Sequence, residues 1–455
     1  MAGAAGTGKT LLSMEFVYRG AKAGERGVLF SFEETEARLR ATARNLGWDL
    51  DGEIARGMVE IVFIPQPEIL VEQHLLMMRE VVDRMKARRV AVDSISVFLH
   101  KIKGPQLARE KTFQLASVVQ NTGAVGFFAT DIPYGSHLIS RFGVEETVVD
   151  GVILLTSTQE GLERQRYLEV YKLRNTAHLK GRHSMSIGRG GIAIFPRYDV
   201  DDRFGQPAPP LDTAVRLPSG VPGLDEIMGG GLLARSVTLV SGSAGIGKST
   251  IGFQFLAAGA AHDERGLYVA LEEGPEQILE TARALELDDT AVEEGRVEII
   301  FASRDRIRPN QLLSLLTERI QQQQIRRVVL DSVSHLASET MTDAELRQLV
   351  YAIVTRLKNL DVTTLLTLES ADLHATGRIT DRQFSPLADN LIALRYERGA
   401  RGLQPTITVV KTRGSEHGFA THPLTLGRGG VRVGSGVSPT ARKATNRRRR
   451  RPSKR

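Results

Sequence analysis

The chain has 455 residues, 41% hydrophobic and 25% charged, the proportions of an ordinary globular protein of two or three domains. It contains no cysteine, which excludes disulfides and thiolate metal sites, and no apolar run reaches the ~18 residues needed to span a bilayer. The formal charge is +7, but nine Lys and Arg and no Asp or Glu follow Pro439. Removing those nine leaves the remainder near −2, so the basic balance belongs to the tail and not to a nucleic-acid-binding core.

The chain opens directly on a glycine-rich loop, Gly3-Ala-Ala-Gly-Thr-Gly8-Lys9-Thr10, so no secretory leader is expected and a cytoplasmic location is. Glu33-Glu34 follow a short apolar run, and Arg89-Val-Ala-Val-Asp93 reads as a buried strand ending in a carboxylate. Lys172-Leu-Arg174 lies on an apparent strand, His178 follows, and Gly188-Arg-Gly-Gly191 comes next. The stretch around Gln206-Pro-Ala-Pro-Pro210 cannot form regular helix or sheet and marks a linker. Beyond it the same signals return. Ser236-Val-Thr-Leu-Val240 reads as a strand, Gly242-Ser-Ala-Gly-Ile-Gly247-Lys248-Ser249 as a second glycine-rich loop, and Ile251 to Leu256 as the helix after it. Gly266–Leu271, Arg327–Asp331 and Thr363–Leu368 read as three further buried strands.

These recurrences share one offset. Lys9 and Lys248, Glu33 and Glu272, Glu34 and Glu273, Lys172 and Lys411, Arg174 and Arg413, and His178 and His417 are all 239 residues apart, as are the two Gly-Arg-Gly-Gly motifs. Asp93 and Asp331 are 238 apart, a slip of one residue. So long a period means two whole domains and not a solenoid. The expected organisation is a first domain at 1–195, a linker at 196–215, a second domain at 216–434, and a disordered basic tail at 435–455. Short apolar strands alternating with helices imply an α/β fold with a mainly parallel central sheet in each copy. Ligands of such sheets bind at the carboxyl ends of the strands, where all these motifs fall.

The pattern G-x-x-x-x-G-K-[S/T] is a P-loop. Gly3, Gly6, Thr7 and Gly8 in the first copy, and Gly242, Gly245, Ile246, Gly247 and Thr250 in the second, are expected to wrap the phosphates of ATP in backbone N–H groups. Lys9 and Lys248 reach the β- and γ-phosphates, and the hydroxyls of Thr10 and Ser249 ligate Mg²⁺. Asp93 and Asp331 complete the metal shell in the Walker B position. Glu33, Glu34, Glu272 and Glu273 are candidates to orient a water or take a proton from a hydroxyl nucleophile. Lys172, Arg174, Lys411 and Arg413 are candidate cations for charge on the transferring γ-phosphoryl group.

Taken together, the two P-loops, the Glu pairs, Val-Asp-Ser and Leu-Asp-Ser-Val-Ser, Lys-Leu-Arg-Asn-Thr-Ala-His, Lys-Thr-Arg-Gly-Ser-Glu-His and Leu217-Pro-Ser-Gly-Val-Pro-Gly-Leu-Asp225 resemble the KaiC family of tandem RecA-like ATPases. The resemblance covers almost the whole chain except the tail. It implies a double-ring homohexamer with ATP held between subunits, the Lys/Arg pairs acting in trans on the neighbour's ATP, slow ATP hydrolysis, and autokinase and autophosphatase activity in the second half. The family's phosphorylated segment resembles Ile379-Thr380-Asp-Arg-Gln-Phe-Ser385-Pro386. Ser385 stands at the first hydroxyl of an adjacent Ser-Thr pair, Pro386 stands at the second, and Thr380 is the other candidate acceptor.

Three functional readings stay open at this point: an ATPase and autokinase acting in signalling or timing with an unknown protein partner, a DNA-dependent RecA-like ATPase or recombination factor, and a scaffold that nucleotide holds together. The tail, with Arg447 to Arg451 in succession, offers a polyanion contact through charge alone. Met1 aligns with Val240, so the first copy is expected to lack its central strand, and the reading frame is expected to start upstream, Met1 being an internal valine codon such as GTG read as a start.

Overall fold

The computed structural model describes residues 1–102, 104–132, 139, 145–160, 163–197, 211–302, 308–336, 342–370, 384–399, 402–414, 418 and 420–436. The expected linker centre, Thr380, His417 and the basic tail from 437 onward lie outside the described residues. The chain divides into two compact units, 1–199 and 200–455.

In the first unit the strands are β1 (Ala2–Gly3), β2 (Gly27–Ser31), β3 (Val59–Phe63), β4 (Arg89–Asp93), β5 (Val125–Phe128), β6 (Thr130–Asp131), β7 (Gly151–Glu160), β8 (Glu163–Leu173), β9 (Arg182–Gly188) and β10 (Gly191–Phe195). They form two sheets, β3-β2-β4-β5 and β10-β9-β8-β7-β1-β6. The strands β1 to β7 run parallel to their neighbours, and β7 to β10 form antiparallel hairpins. β2 is buried along its whole length, as its unbroken apolar run requires for a strand covered on both faces.

The second unit carries β11 (Asp212–Leu217), β12 (Leu232–Ala234), β13 (Val237–Gly242), β14 (Gly266–Ala270), β15 (Val297–Phe301), β16 (Arg327–Asp331), β17 (Thr363–Glu369), β18 (Asn390–Gly399), β19 (Gly402–Thr412), β20 (Thr421–Gly427) and β21 (Gly430–Val433). Nine of these make one continuous sheet, β15-β14-β16-β17-β13-β18-β19-β20-β21, beside a short β11-β12 pair. The two Gly-Arg-Gly-Gly motifs are the tight turns that close the last hairpin of each unit, with Gly190, Gly191, Gly429 and Gly430 at positive φ.

Helix α1 (Lys9–Lys22) and helix α2 (Lys248–Ala260) follow the two glycine-rich loops. In α2 the residues Ile251, Phe253, Phe255 and Leu256 are all buried, so the helix is apolar nearly all round and sits inside the unit. An arginine at the start of the carboxylate-bearing strand ties each helix to its sheet. Arg89 donates to the carbonyl of Phe16 and pairs with Glu25, and Arg327 donates to the carbonyl of Phe255 and pairs with Glu264.

The units differ at their centres. In the second, β13 supplies six residues between β17 and β18. In the first, β1 supplies two, paired to β6 through Ala2–Thr130 and Gly3–Asp131 and to β7 through Ala2–Leu154 and Gly3–Leu155. By the repeat offset Ala2–Gly3 align with Ser241–Gly242, so the first copy carries only the last two residues of the strand that leads into the P-loop of the second. β1 pairs with β6 and β7, and the strands that form one sheet in the second unit are divided between two in the first. No helix among the described residues is long and apolar enough to cross a membrane.

Candidate nucleotide sites

Each glycine-rich loop ends in a glycine that only a left-handed backbone can form, Gly8 at φ 102° and Gly247 at φ 104°. The turn aims the first N–H groups of α1 and α2 outward at the carboxyl edge of the sheet. Neither helix has an acidic residue in its first turn, so the positive end of each dipole is left for an anion. Space is as restrictive as the dihedral. A Cβ on Gly3 would come within 2.7 Å of the Leu155 carbonyl oxygen, and one on Gly242 within 3.0 Å of that of Leu394.

The P-loop lysines are buried and fold back on their own loops. Lys9 donates to the carbonyls of Gly3 and Ala4 at 2.9 and 3.0 Å, and Lys248 to that of Ser243 at 2.8 Å. Burial lowers the Lys248 ammonium below its ordinary range, against the pull of Glu369, Asp331 and Glu272. Lys9 also makes an ion pair with Asp131 Oδ1 at 2.9 Å. The register Gly3–Asp131 in one unit and Gly242–Glu369 in the other puts an acid across from the start of each P-loop. Sequence reasoning missed both acids. The only signal was an acid at the end of a buried strand, repeated at the same 238-residue slip as Asp93 and Asp331.

The carboxylates at the strand ends differ between units. Asp93 is buried, and its carboxyl is pushed up to about 6, chiefly by desolvation, with Glu33 and Asp131 adding and the Thr10 hydroxyl and Lys9 opposing. Ser94 Oγ donates to Asp131 at 3.2 Å and lies 3.5 Å from Glu33. The first site thus gathers Lys9, Thr10, Glu33, Asp93 and Asp131. In the second, Asp331 accepts from the Tyr268 hydroxyl at 2.5 Å and from the Thr367 hydroxyl, and Tyr268 is itself hydrogen-bonded to Ser249. Leu29 and Ala129 stand at the positions of Tyr268 and Thr367 in the first unit. His335 lies 3.3 Å from Ser332 Oγ and 3.5 Å from Glu272. Glu273 is exposed as a residue, yet partial burial, Asp331 and Glu272 together raise its carboxyl above the usual range. Glu34 meets Ser31 through its backbone, its carbonyl accepting from Ser31 Oγ at 2.7 Å.

Among the described residues no cluster of three His, Asp or Glu could hold a metal by protein ligands alone. Each site instead offers one hydroxyl beside one carboxylate, Thr10 with Asp93 and Ser249 near Asp331. These are hard oxygen donors that leave most of an octahedron to water and phosphate, which suits Mg²⁺.

The Lys/Arg pairs do not join their own unit's P-loop. They stand at the ends of β8 and β19, with the arginines just past the strands. Lys172 donates to the carbonyls of Glu146 and Val149, and Arg174 pairs with Asp150. Lys411 donates to the carbonyls of Ser385 and Ala388 at 3.0 and 2.6 Å, and Arg413 pairs with Asp389. Burial lowers the Lys411 ammonium, and Arg413 adds to the effect. Ser385, half-buried, lies in the turn these cations hold, next to the buried anchor Phe384. Glu146 is its counterpart in the first unit, 239 residues earlier.

Two P-loops of this geometry, each at the end of a parallel sheet and backed by a strand-end aspartate, define a tandem RecA-like P-loop ATPase. A model of the KaiC ATPase family matches residues 1–199 and 217–438. The circadian clock oscillator protein KaiC of Synechococcus elongatus is 32% identical over 431 residues, 92% of this chain and 81% of that protein. The circadian clock protein KaiC3 of a Synechocystis species is 29% identical over 447 residues, 95% of this chain and 87% of that protein. KaiC of Parasynechococcus marenigrum is 30% identical over 429 residues, 92% and 82% of the two chains. The chain belongs to the KaiC family of ATPases, and ATP binding follows from that membership.

Proposed function

We propose that both units hydrolyse Mg-ATP and that the second also transfers phosphate to Ser385, so that the protein acts in signalling or timing. The observation that carries the kinase half is Lys411 holding the Ser385 carbonyl at 3.0 Å, which fixes the acceptor turn to the strand bearing the Lys411/Arg413 pair. In this reading Lys248 and the loop N–H groups hold the phosphates, and Ser249 and Asp331 hold Mg²⁺, which supplies charge neutralisation. Glu272 or Glu273 takes the Ser385 hydroxyl proton as the oxygen attacks the γ-phosphorus. The bond from that phosphorus to the β–γ bridging oxygen breaks, and ADP leaves. A raised carboxyl makes Glu273 a stronger base than an ordinary glutamate.

We further infer a homohexamer with ATP at the subunit interfaces. The Lys/Arg pairs have their partners on the 146–150 and 385–389 turns, and they reach a phosphate only as part of a neighbour's site. The basic tail is assigned a polyanion contact, and a protein partner of unidentified kind reads the phosphorylation state.

The test is incubation with radiolabelled Mg-ATP followed by peptide mapping. Label is expected in the 376–390 segment of the wild type, absent from Ser385→Ala and Lys248→Ala, and reduced about 10²-fold or more in Glu272→Gln/Glu273→Gln. Turnover without label in that segment would leave an ATPase and remove the kinase. Turnover that rises severalfold on adding single-stranded DNA would favour the DNA-dependent reading instead.

A further inference from the structure

The two units treat the hydroxyl that opens the helix after each P-loop differently. In the first, the Thr10 hydroxyl donates directly to Asp93. In the second, a tyrosine stands between the hydroxyl and the carboxylate. Tyr268 on β14 is wholly buried, its hydroxyl lies 2.5 Å from Asp331 Oδ2, and it is also hydrogen-bonded to Ser249. The Thr367 hydroxyl on β17 meets the other carboxylate oxygen, Oδ1. Asp331 ends β16, the strand between β14 and β17, so each flanking strand sends it one hydroxyl. Tyr268 pairs with Val329, which precedes Asp331 by two residues and shares its face of the sheet, and a tyrosine is long enough to span that step.

The supply of protons fixes the direction of these bonds. An ionised carboxylate only accepts, so Tyr268 and Thr367 both donate to Asp331. Tyr268 has a single proton and spends it there, so towards Ser249 its oxygen can only accept. The Ser249 hydroxyl therefore points its proton at Tyr268 and keeps its lone pairs for another partner. Leu29 and Ala129 stand at the positions of Tyr268 and Thr367 in the first unit, and neither side chain has a hydroxyl to offer.

We propose that Tyr268 is a positioning residue for the metal of the second site, holding the Ser249 lone pairs and the Asp331 carboxylate in one arrangement ahead of Mg²⁺ binding. This rests on the reading that Ser249 and Asp331 hold that ion. A hydroxyl binds a cation through its oxygen and must send its proton elsewhere. Tyr268 takes that proton at a fixed, buried place, so little has to rearrange on binding. Without the tyrosine oxygen, Ser249 is free to turn, Asp331 Oδ2 loses its donor, and metal binding has to order both groups. Lys248 and the loop N–H groups hold phosphate without passing through Tyr268, so nucleotide binding in the absence of metal does not depend on it.

The test reads the metal's share of nucleotide binding. A fluorescent ATP analogue is titrated into the full-length chain, in a Lys9→Ala background, once with excess MgCl₂ and once with EDTA, and the ratio of the two affinities is taken. Tyr268→Phe keeps the ring and removes only the oxygen. It is expected to cut the ratio about tenfold while the affinity in EDTA stays at that of the parent chain. Tyr268→Leu, which installs the residue that the first unit carries, is the second variant and is expected to behave alike. A ratio unchanged in both variants overturns the proposal, whether binding stays at full strength or falls equally in the two buffers. Ser249→Ala and Asp331→Asn test the underlying reading separately, since each should abolish most of the enhancement by Mg²⁺. Full enhancement in both would remove the metal reading itself. Loss in both beside an unchanged ratio in the Tyr268 variants would remove only the role of the tyrosine.

Discussion

Asp93 and Asp331 end equivalent strands of the two units, yet their surroundings differ. Asp331 has the hydroxyls of Tyr268 and Thr367, whereas Asp93 has apolar residues at both those places and relies on Thr10. A carboxyl held near 6 in the fold and near 3.8 when unfolded favours the protonated folded state. Its charge therefore works against folding by up to about 3 kcal/mol at pH 8, and this penalty fades as pH falls through 6 towards 3.8. In metal- and nucleotide-free buffer, Asp93→Asn should gain on the wild type at pH 8, and the gap should narrow by roughly 2 kcal/mol by pH 4.5. Urea titrations followed through Trp48 measure it, and a gap that stays flat with pH would show that Asp93 is not desolvated. Spacing alone singled out the lysines, hydroxyls and aspartates that the structure places near each P-loop. Asp131, Glu369, Tyr268 and Thr367 were not legible, because what brings them to the site is strand register and not a local pattern, and His335 arrives on the short 3-10 turn Val333–Leu336 that follows β16.

Most elements were legible too. Arg327–Asp331 forms a strand as read, and the Thr363 strand runs one residue further than its apolar stretch, to Glu369. The Ser236–Val240 run becomes Val237–Gly242, because the ladder to β17 continues into the first glycine of the loop. The loop that follows each central strand has a stricter requirement. Alanine at Gly247 would hold a left-handed backbone at about 1–2 kcal/mol, with its Cβ 2.9 Å from Val431 Cγ2. Titration of a fluorescent ATP analogue should show Gly247→Ala binding at least tenfold more weakly at the second site, in a Lys9→Ala background that silences the first. Binding at wild-type strength would mean that the loop does not need the turn to hold phosphate.

At the scale of the whole molecule the duplication was the strongest signal in the sequence, and it also exposes what the two copies do not share. Both clamp a turn with a lysine and an arginine at the end of a hairpin strand, but the first clamps Glu146 where the second clamps Ser385. If the second-unit cations serve a neighbour's ATP, a Lys248→Ala chain and an Arg413→Ala chain complement one another. Mixed assemblies of the two, both in the Lys9→Ala background, should regain a measurable fraction of turnover that neither has alone. Mixed rings that assemble but stay silent would place Arg413 in the service of its own subunit.

Asp389 gives this clamp a reach beyond electrostatics. One buried carboxylate takes the N–H of Val237 at the root of the P-loop strand, the ammonium of Lys358 at 2.6 Å and the guanidinium of Arg413, while its neighbour Ala388 is gripped by Lys411. The strand that leads to the P-loop and the turn that carries Ser385 thus hang from a common hinge pin. A doubly negative group on Ser385 would compete with Asp389 and with the backbone carbonyls for Lys411 and Arg413, and any slack it introduced there would be felt one strand length away, at the mouth of the loop that holds the next ATP.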